Sequence, residues 1–143
     1  MKILISACLL GTCCRYDGAS KPCADAVALT AHHTLIPVCP EQLGGLPTPR
    51  PPAERLGERV LTKDGTDVTA QYRRGAEEAL RLCRLLDCEA AVLKERSPSC
   101  GCGEIYDGTH SGKLREGSGV TAQLLAAHGV AVYGESQIKE LLK

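Results

Sequence analysis

Four short apolar runs, separated by segments patterned as helices, constrain this sequence more than any other feature. They are Ile3-Leu4-Ile5, Leu35-Ile36-Pro37-Val38, Ala90-Ala91-Val92-Leu93 and residues 130–133. Each is too short for a stable helix and too uniformly apolar to have a wet face, which is how strands buried on both sides read. Strands that alternate with helices imply parallel pairing and right-handed crossovers. The expected fold class is α/β: a mainly parallel sheet with helices on both faces, plus a small β-hairpin, in a single domain over residues 1–143. The carboxyl ends of such strands share one rim, where α/β proteins place their chemistry. Three of the four runs lead into a cysteine there: Cys8, Cys39 and, through Arg96-Ser97-Pro98-Ser99, Cys100.

The segments between the runs are expected as follows. Residues 24–32 read as a short helix. Pro37 marks its strand as an edge or a strand end, since proline cannot donate to a ladder. Residues 40–55 are rich in Pro and Gly and read as a long functional loop. Lys63-Asp64-Gly65-Thr66 lies between two arms within residues 59–69, the signal of a hairpin. Residues 69–87 form the clearest helix, with Tyr72, Ala76, Ala79, Cys83 and Leu86 on one stripe and Thr69 as N-cap. Residues 103–119 read as a polar loop. Ser118 is the expected cap of a helix over 120–128, and residues 136–142 form a closing helix.

Composition narrows the partners. Lys plus Arg equals Asp plus Glu, 17 each, so no electrostatic case exists for nucleic acid or an anionic membrane as main partner. With no Phe and no Trp, the core must be aliphatic and any stacking platform for bases small. No apolar stretch approaches the ~20 residues of a membrane span. Met1 leads straight into a strand rather than a secretory leader, so the expected location is the cytoplasm. Nine cysteines in a reducing compartment point to metal or catalysis before disulfides. Cys83 and Cys88, in and just after a helix, read as small buried hydrophobes.

Thiolates suit zinc, Cu(I) or iron–sulfur clusters. The Cys-x-x-Cys knuckles of a zinc ribbon are absent; the chain has Cys13-Cys14 and Cys100-x-Cys102 instead. A cluster accepts ligands from distant loops. Three ligands on the rim would leave one iron open, which a Lewis-acid catalyst requires. A non-enzymatic zinc or cluster-binding module stays open beside this reading. So does a phosphatase loop of the strand–Cys-x5-Arg type, although six residues separate Cys8 from Arg15. Glu41 is a candidate general base. Ser97 and Ser99 are candidate hydrogen-bond donors or turn caps. Arg15, Arg50 and Arg96 are candidates for an anionic or carbonyl group. His32, His33 and His128 sit at helix ends, and His110 receives no role.

Four stretches, taken in order, carry a resemblance. They are Ser6-Ala7-Cys8-Leu9-Leu10-Gly11; Cys14-Arg15-Tyr16-Asp17-Gly18; Cys39-Pro40-Glu41 with Gly44-Gly45-Leu46-Pro47-Thr48-Pro49-Arg50-Pro51-Pro52-Ala53-Glu54; and Arg96-Ser97-Pro98-Ser99-Cys100-Gly101. Together they resemble the thiouracil desulfidase family over essentially the whole chain. The resemblance implies a [4Fe-4S] cluster held by only three protein cysteines. It also implies non-redox removal of sulfur from a thiolated nucleobase such as 2-thiouracil, giving the carbonyl base and sulfide. The ligands favoured here are Cys8, Cys39 and Cys100, each at a strand end. Glu41, Ser99 and Cys14 are then the catalytic candidates, and Arg15, Tyr16 and Ser97 the substrate-binding ones. Cys13 and Cys102 fall outside the pattern. The neutral charge favours a free small-molecule substrate over RNA.

Overall fold

The computed structural model describes residues 1–142. Its central sheet contains β1 (Lys2–Ser6), β2 (Thr34–Val38), β5 (Ala90–Leu93) and β8 (Ala131–Gly134), all parallel, in the order β2-β1-β5-β8. Ile3, Leu4 and Ile5 pair with Leu35, Ile36 and Pro37 on one side, and with Ala90, Ala91 and Val92 on the other. Pro37 is tolerated because β2 is an edge strand with a single neighbour.

Successive side chains of β1 point to opposite faces, and each face has its own helical layer. Ile3, Ile5 and Val92 pack against Ala26 of α1 (Ala24–Ala28), Leu29 and Ile138. Leu4, Ala91 and Leu93 pack against Ala79, Leu80 and Cys83 of α3 (Thr69–Leu85) and Ala122 and Leu125 of α4 (Val120–Ala127). Each fully buried Ile or Leu stabilises the fold by about 1.5–3 kcal/mol before entropy is counted. The core is aliphatic, as the composition requires.

Several local expectations change. The long loop after Cys39 begins with a helical turn, α2 (Pro40–Leu43), and ends in β3 (Ala53–Leu56). β3 pairs antiparallel with β4 (Arg59–Thr62), so the hairpin turns at Gly57-Glu58 rather than at Lys63–Thr66. The latter turn closes only an isolated Leu61–Asp67 bridge. The polar segment after Cys102 holds a second hairpin, β6 (Glu104–Tyr106) with β7 (Leu114–Glu116). The chain closes with a 3-10 helix, Glu135–Glu140.

Both expected caps are displaced for a physical reason. Thr69 is the first residue of α3, not its cap; its N–H donates to Asp67 at 2.9 Å and its hydroxyl accepts from Val60 N–H. α4 is preceded by Gly119, and its free N–H groups find partners in the cysteine loop rather than in Ser118. Val120 N–H donates to the Pro98 carbonyl, and Thr121 and Ala122 N–H donate to that of Ser99. The Cys100 loop therefore sits locked on the start of α4. A second close approach seats α2 on α3: a Cβ on Gly44 would overlap the Gln71 carbonyl, and one on Gly75 the Pro40 carbonyl. Those two glycines decide where Cys39 and Glu41 stand relative to α3.

Candidate active site

Three loops leave the carboxyl ends of β1, β2 and β5 and enclose a cavity of about 590 Å³. Cys8 lies in a 3-10 turn, Ala7–Leu10, just past β1. Cys39 follows β2 directly and precedes α2. Cys100 comes seven residues after β5, on the loop held by α4, so it reaches the rim without ending its strand. Cys14, on the returning arm of the first loop, is the fourth thiol to line the cavity. Four cysteines from three distant parts of the chain thus meet in one place.

The thiols sense one another. Burial pushes Cys8 up to about 11; the neighbouring Cys39 and Glu135 add to this, while Lys94 and Arg15 oppose it. Cys14 is pushed up to about 12, first by burial and then by Cys39 and Cys8. Cys100 is raised by burial, with Glu41, Cys39 and Cys8 adding and the Ser6 hydroxyl opposing. Buried thiols crowded this way hold their protons until a positive centre takes them as thiolates. Among the described residues, no three His, Cys, Asp or Glu side chains gather tightly enough to hold a single metal ion. The thiols are instead set around the cavity wall. A structural zinc draws four ligands onto one point; a cluster offers its irons at separate corners and takes thiolates set apart. The donor set fits the second.

Glu41 stands beside them on α2. Its Oε1 accepts from Arg50 Nε at 2.9 Å and from the Tyr72 hydroxyl at 2.8 Å. Arg50 is only 8 % exposed. Its other guanidinium nitrogens donate to Thr48 Oγ1 and to the Cys14 carbonyl, each at 2.9 Å. The same carbonyl accepts from the Cys39 thiol at 3.6 Å. One arginine therefore ties the Glu41 turn to the Cys14 arm.

The remaining expected residues divide. Arg15 and Tyr16 line the mouth, with the guanidinium 5.9 Å from the ring centre and 3.8 Å from Asp17. Ser97 also lines the cavity, and its Oγ accepts from Ser99 and Cys100 N–H at 3.1 Å each, so it shapes the turn that presents Cys100. Ser99, expected as a catalytic hydroxyl, is turned away: it is 1 % exposed and its Oγ pairs with Thr121 Oγ1 at 2.8 Å. It fastens the loop to α4 instead of facing the cavity. Cys13 is exposed, and neither it nor Cys102 lines the cavity.

The phosphatase alternative lacks its cradle. The N–H groups of Gly11, Thr12, Cys14 and Arg15 donate to the loop's own carbonyls, and the Cys8 thiol is raised where a nucleophile needs it lowered. Three contributors escaped the sequence reading as site residues. Ser6 takes the Lys94 N–H on its Oγ at 2.9 Å and faces Cys100. Lys94 pairs with Glu135 at 3.3 Å beside Cys8. Tyr72 packs its ring in the core, as its place on the apolar stripe of α3 predicts, while its hydroxyl reaches Glu41.

Comparison with known proteins fits this geometry. Residues 3–137 match the family model described as 2-thiouracil desulfurase. The chain belongs to the 2-thiouracil desulfurase family. The uncharacterized protein YbbK of Bacillus subtilis (strain 168) is 41% identical over 150 residues, covering 98% of this chain and 99% of that protein. The solved structure of the [4Fe-4S]-dependent thiouracil desulfidase TudS (DUF523Vcz) is 51% identical. It superposes with a TM-score of 0.90 over 99% of this chain and 95% of its own. The family resemblance and the α/β fold expected from the sequence both stand. Among the described residues, no helix is long and apolar enough to cross a membrane.

Proposed function

We propose that this chain is a [4Fe-4S]-dependent enzyme that converts a thiolated nucleobase of the 2-thiouracil kind, as a free small molecule, to the carbonyl base and sulfide. The carrying observation is the convergence of four thiols on a cavity beside one half-buried carboxylate that accepts two hydrogen bonds. Family membership and the likeness to TudS support the reading. Cys8, Cys39 and Cys100 are the ligands we favour. Each comes from a different strand-end loop, and the Ser6 hydroxyl stands ready to donate to the Cys100 sulfur. Cys14, whose backbone carbonyl is pinned by Arg50, remains a thiol at the cavity wall.

A cluster held there supplies a Lewis-acidic iron toward the thiocarbonyl sulfur. Glu41 takes a proton from the attacking water, and Arg50 keeps that carboxylate aimed. Arg15, Tyr16 and Ser97 receive the base at the mouth. The balance is hydrolytic: water and the thiocarbonyl give the carbonyl and hydrogen sulfide, with no change of oxidation state. The nine free thiols suit a reducing compartment, and we place the protein in the cytoplasm as a single domain.

Anaerobic preparation tests the reading. Loaded protein should contain about four iron and four sulfide per chain, absorb in the visible and release sulfide from 2-thiouracil. A colourless protein carrying stoichiometric zinc and releasing no sulfide would replace the enzyme with a structural module.

A further inference from the structure

Tyr72 is almost fully buried on α3, yet its hydroxyl is spent on the active-site carboxylate. Both donors that reach Glu41, Arg50 Nε and Tyr72 Oη, converge on the same oxygen, Oε1. Oε2 has no hydrogen-bond partner among the described residues and is not sealed from solvent. Glu41 in turn acts on Cys100 across the cavity. A carboxylate held by one oxygen from two directions cannot rotate freely, so its other oxygen is committed to a single side.

We propose that Tyr72 is a positioning residue for the desulfuration, fixing Glu41 so that Oε2 is kept for the water that attacks the substrate. The inference rests on the reading of Glu41 as the water-activating group. Its placement has a structural origin. Gly75 lies three residues on from Tyr72 along α3 and, with Gly44, brings the two helices into backbone contact. That contact sets the Tyr72 ring at hydrogen-bond distance beneath α2. Arg50 reaches the same oxygen from the loop side, so neither donor duplicates the direction of the other. Among the described residues, Tyr72 is the one group of α3 that bonds Glu41.

Tyr72→Phe keeps the buried ring and removes one oxygen, so the variant should fold. In the anaerobically loaded enzyme with 2-thiouracil, kcat should fall ~10- to 100-fold while KM stays within about twofold and the visible absorption of the cluster is unchanged. Glu41→Gln, measured alongside, should lose at least as much kcat. A second readout needs no cluster: thermal unfolding of the cluster-free protein in a double-variant cycle. Tyr72→Phe should lower Tm when Glu41 is present. It should leave Tm unchanged or raise it in a Glu41→Ala background, where the hydroxyl has lost its acceptor. Full kcat in loaded Tyr72→Phe, or an equal Tm loss in both backgrounds, overturns the positioning role while leaving Glu41 in place. Full kcat in Glu41→Gln overturns the water-activating reading, and the positioning role with it.

Discussion

Two groups of buried and half-buried thiols stand at opposite ends of the sheet, and only one of them is built as a site. Cys83 and Cys88 lie at the amino-terminal end of β5, where the Cys83 thiol donates to the Cys88 carbonyl at 3.7 Å. Burial raises both, Cys88 up to about 11. Cys8, Cys14 and Cys100, at the carboxyl end, are raised by burial too. A perturbed thiol is therefore not what marks a site here. The first pair are near neighbours in sequence, and Cys83 is packed among Leu4, Ala79 and Leu93. The cavity thiols, Cys39 with them, come from three separate loops and share the cavity with Ser6, Glu41, Arg50 and Lys94. Convergence with polar partners, rather than burial, separates chemistry from packing.

The sharpest break of that contrast is removal of the thiols one at a time. Cys8→Ala, Cys39→Ala and Cys100→Ala should each reduce bound iron to near background after anaerobic loading. Cys14→Ala and Cys83→Ala should retain it. Iron and sulfide analysis of the purified variants decides the matter, and retention in all three cavity variants would dissolve the distinction between the two ends.

Backbone fit gives the next effect. Gly75→Ala should force α2 off α3 through the Pro40 carbonyl, displacing Cys39 and Glu41 together. Overpacking of this kind costs ~1–3 kcal/mol in denaturant unfolding, and here iron content should fall as well. A variant that loses stability but binds full iron would mean that the helix contact supports the fold and not the site.

A smaller change tests the polar partners. Ser6→Ala strips the Lys94 N–H of its acceptor at the carboxyl end of β5, at a cost of about 1–3 kcal/mol. It also takes the hydroxyl from beside Cys100. The loaded variant should show a more negative cluster reduction potential, since hydrogen bonds to ligand sulfur favour the reduced form. An unchanged potential would confine Ser6 to holding the backbone.

The sheet and the rim were readable because strands buried on both faces leave no ambiguity of register or side. Ile3-Leu4-Ile5 and Ala90-Ala91-Val92-Leu93 had only one environment to occupy, and a parallel sheet sends the following loops to one edge. Pro37 announced the edge strand by the hydrogen bond it lacks. Side-chain direction within the loops was not readable, because tertiary hydrogen bonds set it. Ser97 and Ser99 are two residues apart and chemically alike, yet α4 claims Ser99 while Ser97 faces the cavity. Arg50 reads as one more loop arginine until the Cys14 carbonyl and Glu41 draw it inward. The β6–β7 hairpin was hidden because its strands are three residues each and β7 is wholly exposed. Its tie to β3 runs through Glu54, which pairs with His110 at 3.5 Å, a contact no periodicity encodes.

The faintest expected effect separates the two thiol groups by pH. A thiol whose folded pKa exceeds its unfolded value of about 9 keeps its proton longer in the folded state. Its contribution to stability is complete below pH 9 and is lost as pH rises toward the folded value. For the cluster-free protein, Cys8 at about 11, Cys14 at about 12 and Cys88 at about 11 all act in this sense. Stability should therefore decline progressively above pH 9. Loading the cluster converts the ligand thiols to thiolates in the folded state and removes their share of that decline. Cys88, far from the cavity, should keep its share. Thermal unfolding from pH 8 to 11 should then show a shallower alkaline loss in the loaded protein than in the cluster-free one. Substitution of Cys88 by Ala should flatten both curves by a similar amount. Identical alkaline slopes in loaded and cluster-free protein would mean that the cavity thiols are not what binds the metal.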